Sequence, residues 1–338
     1  MRRRVFRSLV AAVVCGLWVP ASTQAQNTSL LGKVEIDGSS TVYPISEAAA
    51  SGFTNDFPNV KVNVGVSGTG GGFKRFTVGQ TDISDASRPI KATEFKAAQD
   101  AGVKFFEIPV AYDGLTLVVH KDNDFVDHLS VDEIRKIFTA EASAKTWSEV
   151  RDGWPKKPIK IFAPGTDSGT FDYFKEVVAQ DDGSLRSDMS TSEDDNVLVT
   201  GVSGSPNAIG FFGVAYYEEN KDKLKSVPIL NPETDEPVSP DATTIENGTY
   251  APFSRPLFIY VNARSFQRPE VRRFVAYYLQ MAPKLAKQTG YVALPKSVYA
   301  EAMKHCRGGI TGTHYLTEDL AKRSGAVTEL YKTTSAVN

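Results

Sequence analysis

Glycine, serine and threonine gather in three short stretches of this chain: Gly38-Ser39-Ser40-Thr41, Gly68-Thr69-Gly70-Gly71-Gly72 and Gly165-Thr166-Asp167-Ser168-Gly169-Thr170. Each follows a run that reads as a strand and precedes one that reads as a helix. A helix N-terminus carries unpaired N–H groups and a partial positive charge. Small residues let an anion come close to those donors, and hydroxyls add donors of their own. Any one of these turns is also what an ordinary capped helix start looks like, because Ser and Thr are common N-caps. Three in one chain point to a shared site for a small oxyanion. Ser87-Arg88-Pro89 closes another predicted strand. Arg88 is a candidate for a two-pronged grip on such an ion, although a single arginine is more commonly just a surface residue.

Other chemistries fit less well. The glycine spacing of residues 68–72 matches neither a dinucleotide fingerprint nor a P-loop, which needs a closing Gly-Lys-Ser/Thr. Gly65-Val66-Ser67-Gly68 and Gly201-Val202-Ser203-Gly204 miss the hydrolase elbow, since Thr69 and Ser205 stand where its last glycine belongs. The four histidines, His120, His128, His305 and His314, show no metal-ligand spacing and no orienting partner. Asp194-Asp195 reads as a dipole partner at a helix start rather than a cation site. No catalytic residue, metal or cofactor is expected.

Around these turns, strand and helix patterns alternate along the chain. Strands are expected at Lys33–Ile36, Val60–Val66, Asp82–Ser87, Phe105–Val110, Leu115–His120, Ile159–Phe162, Ala208–Val214 and Leu257–Val261. Helices are expected at Pro44–Phe57, Phe73–Val78, Thr93–Gln99 with Thr93 as cap, Ser130–Phe138 with a capping box to Glu133, Phe171–Ala179, Glu193–Thr200 and Pro269–Gln280. Val227–Tyr250 reads as loop. This is an α/β protein with mixed, mostly parallel sheets flanked by helices, in which ligands sit at the carboxyl ends of strands. Tyr112–Leu117 and Phe253–Tyr260 read as two crossings between domains. They divide the chain into a first lobe of 27–113 plus 255–338 and a second lobe of 114–254, hinged for closure around a ligand.

The 338 residues are enough for two cored domains. Arg2, Arg3, Arg4 and Arg7, an apolar run from Leu9 to Val19, and small residues to Ala25 have the layout of a secretory signal peptide over 1–25, cleaved near Ala25. The apolar run is shorter than the ~20 residues that span a bilayer. Arg3-Arg4 leaves the export route open between the general and the twin-arginine pathway. Cleavage removes four arginines and no acid, so the formal charge moves from −2 to about −6. A net-acidic chain with no basic block is a poor partner for nucleic acid or an anionic membrane. It must hold an anion with local donors. Cys15 leaves with the leader, so Cys306 stands alone as an inert thiol and no disulfide can staple the exported chain.

Taken in order, Asp37-Gly38-Ser39-Ser40-Thr41-Val42-Tyr43-Pro44, Gly68-Thr69-Gly70-Gly71-Gly72-Phe73, Asp82 through Arg88, Gly165 through Phe171, Pro206-Asn207-Ala208-Ile209-Gly210-Phe211 and Gly290 through Pro295 resemble the periplasmic phosphate-binding protein of phosphate ABC transporters. The resemblance spans Val34 to Pro295. It implies two α/β lobes of the type II periplasmic-binding-protein fold, two hinge crossings and phosphate in the cleft. It also implies a periplasmic location, delivery of phosphate to a membrane ABC permease, and a monomer. Carried over by motif, the phosphate contacts are Ser40, Thr41, Thr69, Ser87, Arg88, Ser168, Gly169 and Thr170. Two departures stand out. Some members carry an Asp near the position of Ser87 that accepts the proton of hydrogen phosphate, and an Arg where this chain has Pro164. Asp85, Asp167 and Asp195 are the candidate acids for that acceptor. Other readings are a binding protein for sulfate, molybdate or a phosphate ester, a secreted phosphatase, and an adhesion or signalling role on the same scaffold.

Overall fold

The computed structural model describes residues 30–338 except 167, 181, 182, 324, 334 and 335. The expected leader and Asp167 lie outside the described residues.

The chain opens with three strands, β1 (Gly32–Gly38), β2 (Val60–Val66) and β3 (Ile83–Ala86), joined by helices α1 (Tyr43–Asp56) and α2 (Gly68–Phe76). After α3 (Ala92–Asp100) comes the long β4 (Phe105–His120). The middle of the chain supplies α4 (Val131–Phe138), α5 (Trp147–Val150), β5 (Lys160–Pro164), α6 (Gly169–Val178), β6 (Ser190–Ser192), α7 (Asp195–Ser203), β7 (Ala208–Gly213), α8 (Val214–Glu219) and β8 (Leu224–Ser226). A small hairpin of β9 (Ile229–Leu230) and β10 (Pro237–Val238) and the short α9 (Ala242–Glu246) lead to β11 (Ser254–Asn262). The chain closes with α10 (Pro269–Gln288), α11 (Lys296–Gly308) and α12 (Val327–Thr333).

One curled sheet runs in the order β2-β1-β3-β11-β4-β7-β5-β6, with β8 also on β4. Parallel pairs β1/β2, β1/β3, β5/β6 and β5/β7 make its two flanks, and the crossing strands β4 and β11 run antiparallel between them. Strict register places Gly38 opposite Val66 and Asp85, so the carboxyl ends of β1, β2 and β3 share one edge. The turns after those strands are therefore neighbours because of the register.

The two expected strands over Phe105–Val110 and Leu115–His120 form one. β4 continues through Tyr112-Asp113-Gly114, pairing with β11 up to Gly114 and with β7 from Leu115 onward. Fifteen of its sixteen residues are buried, which suits an apolar run covered on both faces. The expected loop between Val227 and Tyr250 contains β9, β10 and α9. Helix α3 begins one residue before Thr93; Lys91 stands at its N-cap and its amide donates to Glu94 Oε2 at 2.9 Å.

Aromatic rings fill the core between sheet and helices. Phe174 of α6 stacks on Phe211 of β7 with centroids 3.8 Å apart, and Phe53 of α1 meets Phe274 of α10 edge-on at 5.3 Å. Rings of this size dominate core energetics, each contributing about 2–3 kcal/mol through burial alone. The C-terminal segment is tied to β4 by the buried Glu107, which accepts from the Tyr260 hydroxyl at 2.9 Å, the Thr313 hydroxyl at 2.5 Å and the His314 amide at 2.8 Å. Burial pushes its carboxyl up to about 7, against the lowering effect of these three donors.

Candidate anion-binding cleft

A cleft of about 190 Å³ opens at the shared strand edge, lined by Ser39-Ser40-Thr41, Gly68-Thr69 and Ser87-Arg88 on one side and by Asp172, Tyr173 and Glu176 of α6 on the other, with Arg255 from β11. Five of the eight expected site residues, Ser40, Thr41, Thr69, Ser87 and Arg88, line this one cavity.

The first turn leaves β1 at Gly38, whose φ of 147° and close approach to Asp85 leave no room for a side chain. The Ser39 amide donates to the Asp85 carbonyl at 3.0 Å, which fixes the turn to β3. The amides of Ser40 and Thr41 donate to no acceptor among the described residues, and they stand just ahead of α1. They are donors held ready for an anion. Val42 occupies the N-cap of α1 and makes no side-chain cap, so the Ser and Thr hydroxyls are not consumed in starting the helix.

The second turn differs from its sequence reading. Gly68-Thr69-Gly70-Gly71-Gly72 is the first turn of α2 rather than a loop ahead of it. Its glycines have a packing reason: a Cβ at Gly72 would stand 2.6 Å from Gly38 Cα. Thr69 Oγ1 accepts from the Ser87 amide at 3.2 Å and lies 3.1 Å from the Ser87 hydroxyl, which joins the ends of β2 and β3.

The third turn ends in the N-cap of α6, where Ser168 Oγ accepts from the Thr170 amide at 3.2 Å. Ser168, Gly169 and Thr170 are not among the cleft-lining residues, but Gly169 packs directly on Thr41. The cleft surface of α6 is supplied one turn later, by Asp172, whose Oδ2 accepts from the Ser40 hydroxyl at 3.3 Å, and by Tyr173 and Glu176.

Two arginines face the cavity. Arg88 is held by a fork to Glu94, at 2.9 Å and 2.8 Å, and lies over the Phe73 ring at 5.5 Å. Arg255, which the sequence reading missed, has a split fork. Its Nη2 donates to Thr41 Oγ1 at 3.2 Å, Nε to Asp113 at 3.2 Å and Nη1 to Glu176 at 3.3 Å, and its guanidinium stacks 3.6 Å above Tyr173. The signal that could have found it is Ser254-Arg255-Pro256, a copy of Ser87-Arg88-Pro89. Tyr291, whose hydroxyl donates to the Thr41 carbonyl at 2.8 Å, was also missed.

The acids sort by burial. Asp113 is buried, and desolvation raises its pKa against the opposing pull of Arg255. Asp85 is sealed behind the first turn. Burial pushes it up to about 8, with Ser46 lowering and Asp37 raising it further, and its Oδ2 has no hydrogen-bond partner. Asp195 starts α7 and is pushed up to about 6, mainly by burial, while its bond to Tyr216 opposes the shift. Neither Asp85 nor Asp195 lines the cleft; the acids that do are Asp172 and Glu176. Among the described residues no cluster of three or more His, Cys, Asp or Glu converges to hold a metal ion.

A cleft at the carboxyl ends of parallel strands, spanned by two crossing strands and rich in donors, is the architecture of a solute-binding protein. The chain belongs to the PBP superfamily, whose domain matches residues 22–281. It is 45% identical to protein SphX of Synechococcus elongatus over 334 residues, covering 98% of this chain and 96% of that one. It is 42% identical to the phosphate-binding protein PstS of Staphylococcus haemolyticus over 276 residues, 81% of this chain and 85% of that one. Among solved structures, a possible phosphate binding protein from Planctomyces limnophilus shares 43% identity with a TM-score of 0.81, covering 83% of this chain and all 100% of that one.

Proposed function

We propose that this protein is an exported solute-binding protein that captures inorganic phosphate in the cleft and delivers it to a membrane ABC permease. It works as a monomer in the periplasm, after a leader over 1–25 is cleaved near Ala25. The first lobe comprises 27–113 and 255–338, the second 114–254, and the crossings are the middle of β4 and the start of β11. Pairing of β4 with β11 up to Gly114 and with β7 from Leu115 supports that division.

The observation that carries the reading is the convergence of unpaired Ser40 and Thr41 amides, the Thr69 and Ser87 hydroxyls and the Arg255 guanidinium on one cavity. Ser40, Thr41, Thr69, Ser87 and Arg88 serve as contacts from the first lobe, and Ser168, Gly169 and Thr170 from the second upon closure. Arg255 joins them as the charge at the hinge. Binding is by dipoles, hydroxyls and guanidinium, with closure excluding water, so no bond is made or broken and the protein is a carrier rather than an enzyme. The acids on the α6 wall favour a ligand that brings a proton. Hydrogen phosphate can donate to a carboxylate, whereas sulfate at neutral pH presents only lone pairs to it.

The test is calorimetric titration of the purified protein with phosphate, sulfate and molybdate, alongside a turnover assay on a chromogenic phosphate ester. Tight one-to-one phosphate binding, weak sulfate binding and no turnover support the reading. Equal affinity for sulfate would reassign the ligand, and turnover would reassign the class.

A further inference from the structure

At the end of the strands opposite the cleft, the start of α10 and the end of α11 enclose a groove of about 720 Å³. Beneath it lie Phe57, Phe106 and Phe266, each 6% exposed or less. Its walls carry Arg272 and Arg273 from α10 and Arg307 from α11. Among the described residues none of these three guanidiniums has a carboxylate partner; Arg273 merely lies over the Phe57 ring at 5.3 Å. Arg75, Arg151, Arg186 and Arg255, by contrast, each hold an acid.

The fold does not account for this grouping. Arg272 and Arg273 are the fourth and fifth residues of a 20-residue helix, away from the C-terminal end where the backbone dipole would favour a cation. The one acid in that first turn, Glu270, is buried and faces Arg268 at 3.6 Å. Arg307, in the last turn of α11, does suit its helix dipole, but it points its charge into the same groove. On a chain of formal charge −2, the result is a local positive field over the groove.

We infer that this groove docks an acidic peptide segment of a partner protein, one with carboxylates flanking an aromatic or aliphatic anchor. Planar guanidinium forks on two facing walls match carboxylates on both flanks of an inserted chain. Leu30, Ala276 and Met303, partly exposed in the same groove, offer apolar contact to a single side chain, whereas a membrane surface would need apolar groups projecting outward. The site goes beyond the phosphate reading and stands apart from it. Phe106 beneath the groove and Asp113 at the cleft are seven residues apart on β4, about 23 Å.

The test uses the purified protein and an array of hexapeptides with Asp or Glu flanking Phe or Leu, each matched to its Asn/Gln counterpart, read by fluorescence anisotropy. The expected result is binding of acidic members over their amide counterparts, weakened about tenfold or more by the Arg272→Glu/Arg307→Glu pair of substitutions, with phosphate affinity unchanged. Both substitutions are at exposed positions, and circular dichroism checks that the variant folds. No preference for acidic peptides overturns the proposal, as does acidic binding that the double variant retains. Anionic phosphatidylglycerol vesicles form the second arm. Arginine-dependent binding to them without acidic-peptide binding would assign the groove to lipid and overturn the peptide proposal.

Discussion

Gly169, the first residue of α6, lies against Thr41, ahead of α1: a methyl group at position 169 would stand 2.7 Å from both the Cα and the Oγ1 of Thr41. Carbon atoms do not pack that closely, and the neighbouring atoms include backbone that cannot yield. The contact brings two helix N-termini to the cleft from opposite sides of the crossing strands. Gly169→Ala should therefore hold α6 off the first turn. Phosphate affinity is expected to fall about tenfold or more. Thermal stability should fall too, since at the first helical position Ala has little of its interior preference over Gly to set against the clash. Calorimetry and thermal denaturation of the same variant separate the two effects.

Arg255 joins Thr41, Asp113 and Glu176 while stacked on Tyr173, and its side chain is only 11% exposed. Arg255→Ala leaves Asp113 buried without its partner, which costs about 3 kcal/mol or more in denaturant unfolding. Adding Asp113→Asn should recover most of that stability and none of the phosphate affinity. Arg255→Lys keeps the charge but not the fork, and is expected to bind phosphate weakly. Undiminished affinity in Arg255→Ala would remove this residue from the site.

Arg88 is engaged differently. Its two bonds to Glu94 are shorter than any that Arg255 makes, and both members of the pair are partly exposed. Arg88→Ala should weaken phosphate binding, but less than Arg255→Ala does. Glu94→Gln, which unties the guanidinium, should strengthen it. Calorimetric titration of the three variants side by side gives the order.

How much of this was visible beforehand varied with the range of the interaction. The valines at 60, 62, 64 and 66 announce β2 because strand alternation is local, and the Ser130/Glu133 capping box of α4 formed as read, with bonds of 3.0 Å and 3.2 Å. The hydroxyl-rich turns were legible for the same reason. Tyr112-Asp113-Gly114 does not read as strand, because Asp and Gly are poor strand formers. The pairing of Asp113 with Arg255 across the β4/β11 register overrides that preference. That register joins residues 142 positions apart, so the role of Arg255 could not be read from its neighbours. The glycines of α2 likewise signalled a loop; their purpose, the approach of Gly72 to Gly38, is tertiary.

Asp85 and Glu107 are two of the buried carboxyls that shape the pH dependence of stability. Burial raises Asp85 from 3.8 to about 8 and Glu107 from 4.5 to about 7. In the unfolded chain both ionise near their ordinary values, so between those values and the raised ones the folded state holds more protons. The stability these groups contribute is thus fully present below about pH 4 and is lost as pH rises through about 7 to 8. The denaturant midpoint should fall between about pH 5 and pH 8, and Asp85→Asn should flatten that fall. A slope unchanged in both Asp85→Asn and Glu107→Gln would show that neither carboxyl is the source.

The most direct measurement is a crystal structure of the protein grown with phosphate. The account predicts one tetrahedral ion in the cleft, within about 3 Å of the Ser40 and Thr41 amides, the Thr69 and Ser87 hydroxyls, Arg255 and the Ser168–Thr170 turn, so that both sides of the crossing strands contribute. An ion held from one side alone, or a cleft that stays empty of phosphate at saturating concentration, would contradict it.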